Sequence, residues 1–326
     1  MQNKPFLSII IPCYNVAKYL PKTLESLNKM NKSEEAEFLF VDDGSTDNTL
    51  MLLEEFAADK NNVKVISQKN KGVSAARNNA ISHVTGQWLT LLDGDDYLEQ
   101  DTIDIIKKHC QDVDLIIPNT IYDNGDSSTE IPHAIQEGIY TINDFYSKIH
   151  IFPTAPKNIY RADIIKEHNI VFNEDIKVGE VYCFTVDYLQ YCSKISLTND
   201  RFYHYVLRGD SATHAINPAA DITAIETIKH LCSVKTEWSQ TSAYNTTALK
   251  MALSFTYNKY VKAGIKYKEI KQILEPLLMC SDFRTLLHQV AHDQGSPKQE
   301  QFLAKYISLM PISLGYNLLS IIKKVV

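Results

Sequence analysis

Over the first hundred residues short apolar runs alternate with amphipathic stretches. Phe6 to Pro12 is isoleucine-rich and almost wholly apolar, the mark of a strand buried on both faces. A turn at Tyr14-Asn15 follows, and then Leu20, Leu24 and Leu27 fall at helical spacing. Phe38 to Val41 predicts a second strand and Val63 to Ser67 a third, with a helix carrying Leu50, Leu53 and Phe56 between them. A helix from about Val73 to Val84 leads into the apolar run Trp88 to Leu92. Strands alternating with helices in this way predict an α/β fold with a mainly parallel central sheet and right-handed crossovers.

Beyond Leu115 the pattern is less regular. Asp123-Asn124-Gly125-Asp126 is a turn signal between extended runs and predicts an antiparallel excursion beside the main sheet. From about Asn217 the apolar positions return to helical spacing, in Ile222 to Leu231, Leu249 to Val261 and Ile270 to Leu278. Two parts are therefore expected: an α/β domain over 1-215 and a helical subdomain over 216-326.

Composition narrows the partners. A formal charge of -6 with scattered basic residues leaves no electrostatic footprint for nucleic acid. The six cysteines show no CxxC or zinc spacing and read as reduced thiols of a cytosolic protein. The N-terminus runs straight into a strand without the regions of a signal peptide, which predicts a chain that is not exported. At the other end, Tyr306 to Ile322 has no charged residue and precedes Lys323-Lys324, but Pro311, Gly315 and Asn317 interrupt it. It reads either as a helix lying in a membrane interface or as ordinary core.

The candidate chemistry gathers at strand ends. Asp93-Gly94-Asp95-Asp96 follows the fourth apolar run, and carboxylates at a strand's C-terminal tip sit where open α/β sheets bind ligands. Hard oxygen donors this close suit Mg²⁺ or Mn²⁺ bridging a phosphorylated substrate; the plain alternative is a solvated acidic turn. Asp47 has a ready use as a helix N-cap, whereas Asp42 and Asp43 have no such need, and one of them could take the imide N–H of a uracil. Both also suit an ordinary turn. Arg77, one turn into the helix after Asn70-Lys71-Gly72, could pair with Asp93 or steady a phosphate; a solvated helix arginine is the ordinary alternative. Neither GxGxxG nor GxxxxGK[ST] occurs, so no dinucleotide fold or P-loop is supported.

Four segments in order, Ser8 to Asn15, Val41 to Asp47, Asn70 to Asn78 and Leu92 to Asp96, resemble the successive motifs of family 2 glycosyltransferases with the GT-A fold. The resemblance continues more weakly to about Thr213. It implies transfer of a sugar from a UDP-sugar to an acceptor hydroxyl, metal-dependent and with inversion, in cell-surface polysaccharide or glycoconjugate synthesis. The acceptor it implies is a glycan or a lipid-linked glycan. The donor half would be about 1-98 and the acceptor half about 99-215, with Thr154 to Asn158 shaping the acceptor pocket. By position, Pro12, Tyr14 and Asp43 would line the uracil, Asn70, Arg77 and Asp93 would hold the nucleoside and its surroundings, and Asp95 would ligate Mn²⁺ or Mg²⁺. Arg208 and Ser211 would lie on a loop closing over the diphosphate, and Val206 stands where a further arginine is usual.

The general base departs from the pattern. Relatives carry Gly-Glu-Asp where this chain has Gly179-Glu180-Val181, so the usual aspartate is a valine, which accepts no proton. Glu180 is the nearest carboxylate and is favoured as base over Asp175 or Asp187. Two rival readings stay open: a non-catalytic nucleotide-sugar-binding subunit, or a phosphotransferase or phosphatase using Asp93 as nucleophile. Membrane contact through 306-326, on the cytoplasmic face, and self-association of the helical part are further expectations.

Overall fold

All seven residues of β1 (Leu7–Cys13) are buried, as a strand covered by helices on both faces requires. It pairs in parallel with β2 (Ala36–Asp42) on one side and β4 (Trp88–Leu91) on the other, and β2 pairs in parallel with β3 (Val63–Ser67). The connecting helices are α1 (Leu20–Lys29), α2 (Thr49–Ala57) and α3 (Val73–Ile81). Leu20, Leu24 and Leu27 of α1 pack into the same core as Ile9, Ile11, Phe38 and Phe40, so the predicted helical spacing is used as a buried face. The computed structural model describes residues 4–123, 128–130, 136–148, 157–208, 216–254, 260 and 263–309.

The rest of the sheet is mixed. The remaining strands are β5 (Tyr97–Leu98), β6 (Leu115–Asp123), β7 (Ser128–Glu130), β8 (Gly138–Thr141), β9 (Ile159–Arg161) and β10 (Lys194–Val206). The path runs β3-β2-β1-β4-β9-β6-β10-β5, with β7 on β6 and β8 on β10. β9 inserts antiparallel between β4 and β6, and β6 and β10 are parallel. β6 and β7 form the expected antiparallel excursion, although the turn residues 124–127 lie outside the described residues. α3 ends at Ile81, short of Val84, because Ser82 to Gly86 turn back and the amides of Thr85 and Gly86 donate to Glu37 Oε1.

The chain divides into two compact units: Met1–Ile142 with Pro153–Glu174 and Asp187–Gly209, and Asn143–Phe152 with Asp175–Val186 and Asp210–Val326. The first holds the sheet strands. In the second, helices Ala224–Ser233, Ser242–Leu253, Tyr267–Met279 and Ser281–His292 bury Ile228, Leu231, Leu249, Leu277, Phe283 and Leu286. Tyr146 stacks on Trp238 at 4.9 Å and meets Tyr244 edge-on at 5.6 Å, an aromatic cluster that adds to this core. Among the described residues no helix is long and apolar enough to cross a membrane. All six cysteines are free thiols.

Candidate active site

Because β1, β2 and β4 are parallel, the loops after them open on one edge of the sheet, and side chains sew these loops together. Asn15 takes a left-handed φ of 53°, a conformation asparagine tolerates, and its Oδ1 accepts the Thr46 amide at 2.8 Å. The Asn15 amide donates to Ser45 Oγ and the Val16 amide to Thr49 Oγ1. Asp47 accepts the Thr49 amide at the start of α2 and, with its other oxygen, the Ala17 amide. The N-cap of α2 is Asn48, so Asp47 stands one residue before the expected capping position, yet it still takes the first helical amide and ties two loops at once.

Asp42 and Asp43 each do have a structural task. Asp42 Oδ1 accepts the Ser45 amide within the turn. Asp43, 3% exposed, accepts from Gln68 Nε2 and the Lys71 amide with one oxygen and from the Gly72 amide with the other, at 2.8–2.9 Å. The carboxylate thus holds the Asn70-Lys71-Gly72 loop against the β2 tip. Gly44 permits the contact, with φ +73° and the Asn70 amide only 2.8 Å from where a Cβ would stand. These partners lie 25 or more residues away in sequence, so nothing local could have revealed them.

The acidic turn is held just as closely. Thr23 of α1 donates its hydroxyl to the carbonyls of Gly94 and Asp96. Arg77, 3% exposed, reaches Asp93 Oδ1 at 3.0 Å and lies over the Phe172 ring. Asp95 pairs with Arg208, whose guanidinium sits 4.3 Å from the centroid of the Tyr19 ring. Asp96 is buried and accepts from Tyr203 Oη at 2.6 Å and from the Val206 amide at 2.8 Å. Burial, with the charge of Asp93, pushes its carboxyl up to about 7. Tyr203 also accepts the Asp93 amide, so it braces the turn from below. At the end of β6, Asp123 takes Lys22 Nζ at 3.0 Å and Tyr97 Oη at 2.5 Å, and Tyr97 stacks on His204.

Among the described residues no three His, Cys, Asp or Glu side chains are arranged around a common metal position. What the edge offers is two carboxylates, Asp93 and Asp95, each beside an arginine. Such a donor set suits Mg²⁺ or Mn²⁺ that arrives with phosphate oxygens as its other ligands, and does not suit a cage of protein ligands alone.

The unit built on the sheet holds Pro12, Tyr14, Asp43, Asn70, Arg77, Asp93, Asp95 and Arg208. Pro12 is buried at the end of β1, Tyr14 is 48% exposed just after it, and Asn70 is exposed in the loop that Asp43 holds. Ser211 lies outside the described residues. Glu180 belongs to the other unit and begins the helix Glu180–Leu189 after Gly179 at φ +86°. There the Thr227 hydroxyl donates to the Val178 carbonyl, and Thr223 Oγ1 accepts the amides of Lys177 and Val178. Thr23 and Lys22 carry no signal in the sequence beyond their helix, whereas Tyr203 reads there as a strand residue with a core role and Asp123 as part of a turn; that Thr23 and Tyr203 support the acidic turn is a tertiary fact.

Known proteins resemble this chain in sequence and in fold. The sequence model of glycosyl transferase family 2 matches residues 8–168. A poly(ribitol-phosphate) β-N-acetylglucosaminyltransferase, TarS of Staphylococcus aureus, is 31% identical over 209 residues, covering 62% of this chain but only 35% of TarS. The glycosyltransferase GlyG of Streptococcus pneumoniae serotype 4 is 36% identical over 226 residues, covering 63% of this chain and 72% of GlyG. Among solved structures, S. aureus TarS 1-349 in complex with UDP-GlcNAc superposes with a TM-score of 0.69 at 22% identity, covering 96% of this chain and 88% of that one. The likeness identifies the fold as GT-A.

Proposed function

This chain belongs to glycosyl transferase family 2, and from that premise we propose that it moves a sugar from a UDP-sugar to a hydroxyl of a glycan or lipid-linked glycan acceptor. The setting is cell-surface polysaccharide synthesis. The observation that carries this reading is the sheet edge itself, where the interlocked loops after β1 and β2 adjoin a turn whose Asp93 and Asp95 are each paired with an arginine. TarS, named for N-acetylglucosamine transfer and solved with UDP-GlcNAc, supports UDP as the nucleotide.

Each residue then has a role. The exposed ring of Tyr14, with Pro12, faces the uracil. Asp43 uses three acceptor positions on its own loop, and an ionised carboxylate has about four, so one is left for the imide N–H. Asn70, Arg77 and Asp93 hold the nucleoside and its surroundings, and Arg208, with Ser211, turns to the diphosphate when donor arrives. Mn²⁺ or Mg²⁺ held by Asp95 would offset the negative charge of the departing diphosphate. Glu180 takes the acceptor proton as the hydroxyl attacks the anomeric carbon from the face opposite the diphosphate, and one displacement inverts that centre.

The helical part serves acceptor binding or self-association, and the chain works at the inner face of the cell membrane. The test is release of UDP from a panel of UDP-sugars with Mn²⁺, with and without EDTA, for the wild type and Glu180→Gln. Release from one donor, lost with EDTA and suppressed by Glu180→Gln while UDP still binds, is the expected result. Wild-type turnover in the variant would give the base role to another carboxylate, and UDP binding with no release across acceptors would favour a non-catalytic binding subunit.

A further inference from the structure

β9 runs antiparallel to β4 with Ile159 opposite Thr90, and the Thr90 hydroxyl donates to the Asn158 carbonyl at 3.0 Å. In such a pair the residues before Ile159 flank the residues after Thr90. Lys157 therefore borders the end of β4, where Leu92 leads into Asp93. Along the edge the order β2, β1, β4, β9 makes Lys157 the next side chain in line after the nucleoside loops and the acidic turn.

Its state is unusual. Lys157 is 8% exposed, and among the described residues it makes no hydrogen bond or ion pair. Burial alone lowers its pKa to about 8. Holding an ammonium largely out of water without a partner is costly. Arg77 already answers Asp93, and Arg208 answers Asp95. Among the described residues Lys157 has no carboxylate to answer, which is the arrangement an incoming anion meets without first breaking a pair.

We propose that Lys157 is a further donor-binding residue, its ammonium taking an oxygen of the β-phosphate of the bound nucleotide. The proposal rests on the UDP-sugar reading above. A nucleotide laid with its base over β1 and β2 and its α-phosphate by β4 reaches β9 with its distal phosphate, and a compact ammonium suits a single phosphate oxygen.

Calorimetric binding of uridine, UMP and UDP, with Mn²⁺, to the wild type, Lys157→Met and Lys157→Arg tests it. Lys157→Met should weaken UDP about tenfold or more and leave uridine and UMP unchanged, as loss of one charge-assisted hydrogen bond requires, and Lys157→Arg should recover most of the loss. The UDP-to-UMP ratio does not depend on the fraction folded, so a destabilised variant still answers the question. Equal loss for all three ligands, or unchanged UDP affinity, would overturn the assignment. A loss seen for UDP-sugar but not for UDP would overturn it in favour of a sugar contact. If the wild type itself fails to bind UDP, the donor reading falls and Lys157 with it, whereas UDP binding indifferent to Lys157→Met removes Lys157 alone.

Discussion

Arg208 is ion-paired with Asp95, the carboxylate at the centre of the acidic turn, and its guanidinium is stacked on Tyr19. Both side chains of the pair are mostly buried, so the interaction is screened less than a surface pair would be. If Asp95 holds a divalent cation as proposed, the arginine stands in its place in the ligand-free protein, and donor binding would exchange one positive charge for another.

Arg208→Ala should accordingly raise Mn²⁺ affinity of the nucleotide-free protein by about fivefold, the worth of a roughly 1 kcal/mol pair, and lower UDP affinity measured with Mn²⁺. Mn²⁺ titration followed by electron paramagnetic resonance checks the first, and calorimetry the second. Unchanged Mn²⁺ affinity would mean that the pair does not compete with metal.

Asp43→Ala strips the partner from Gln68, Lys71 and Gly72 together. Hydrogen bonds to a buried carboxylate are among the stronger ones, and a loss of about 3 kcal/mol in urea unfolding is expected, with faster amide exchange at Lys71 and Gly72. UDP affinity should fall as the loop loosens. Unchanged exchange at those two amides would show that the loop holds without Asp43.

Lys157 carries a pH signature. Its pKa falls from about 10.5 to about 8 in the folded chain, through burial. Between those values the unfolded chain binds a proton that the native chain has released, so the contribution to stability rises with pH across that window, and the full cost is present at pH 7. Lys157→Met should therefore raise stability at pH 7 by up to about 3 kcal/mol, with the gap closing towards pH 10. Denaturant titrations of both proteins at pH 7, 8.5 and 9.5 measure it; a gap that stays constant with pH would contradict the burial account.

Removal of residues 310–326, an uncharged stretch ending in Lys323-Lys324 and the final valines, should reduce sedimentation with anionic liposomes. Equal sedimentation of the truncated and full chains would assign the stretch to packing instead.

Much of the donor half was legible in the amino-acid order because its signals are local. A strand covered on both faces must be continuously apolar, and Leu7–Cys13, Ala36–Asp42, Val63–Ser67 and Trp88–Leu91 stand close to where the apolar runs put them. Parallel strands then oblige the loops after β1, β2 and β4 to share an edge, so the motif residues in those loops were bound to gather. The helical spacing beyond Asn217 likewise became helices.

What the order of residues could not decide is who meets whom across the chain. That Asp43 serves a loop 25 to 29 residues on, that Arg208 reaches back to Asp95, and that the three residues of β9 slip antiparallel between β4 and β6 depend on pairings between distant segments. Asp43 looked free of structural duty for that reason, whereas the Asp42 bond to the Ser45 amide is local, and Lys157 stood only within the Thr154 to Asn158 stretch. Local pattern sets which faces must be buried. Only closure of the sheet brings its C-terminal edge together and determines which charged groups find partners there.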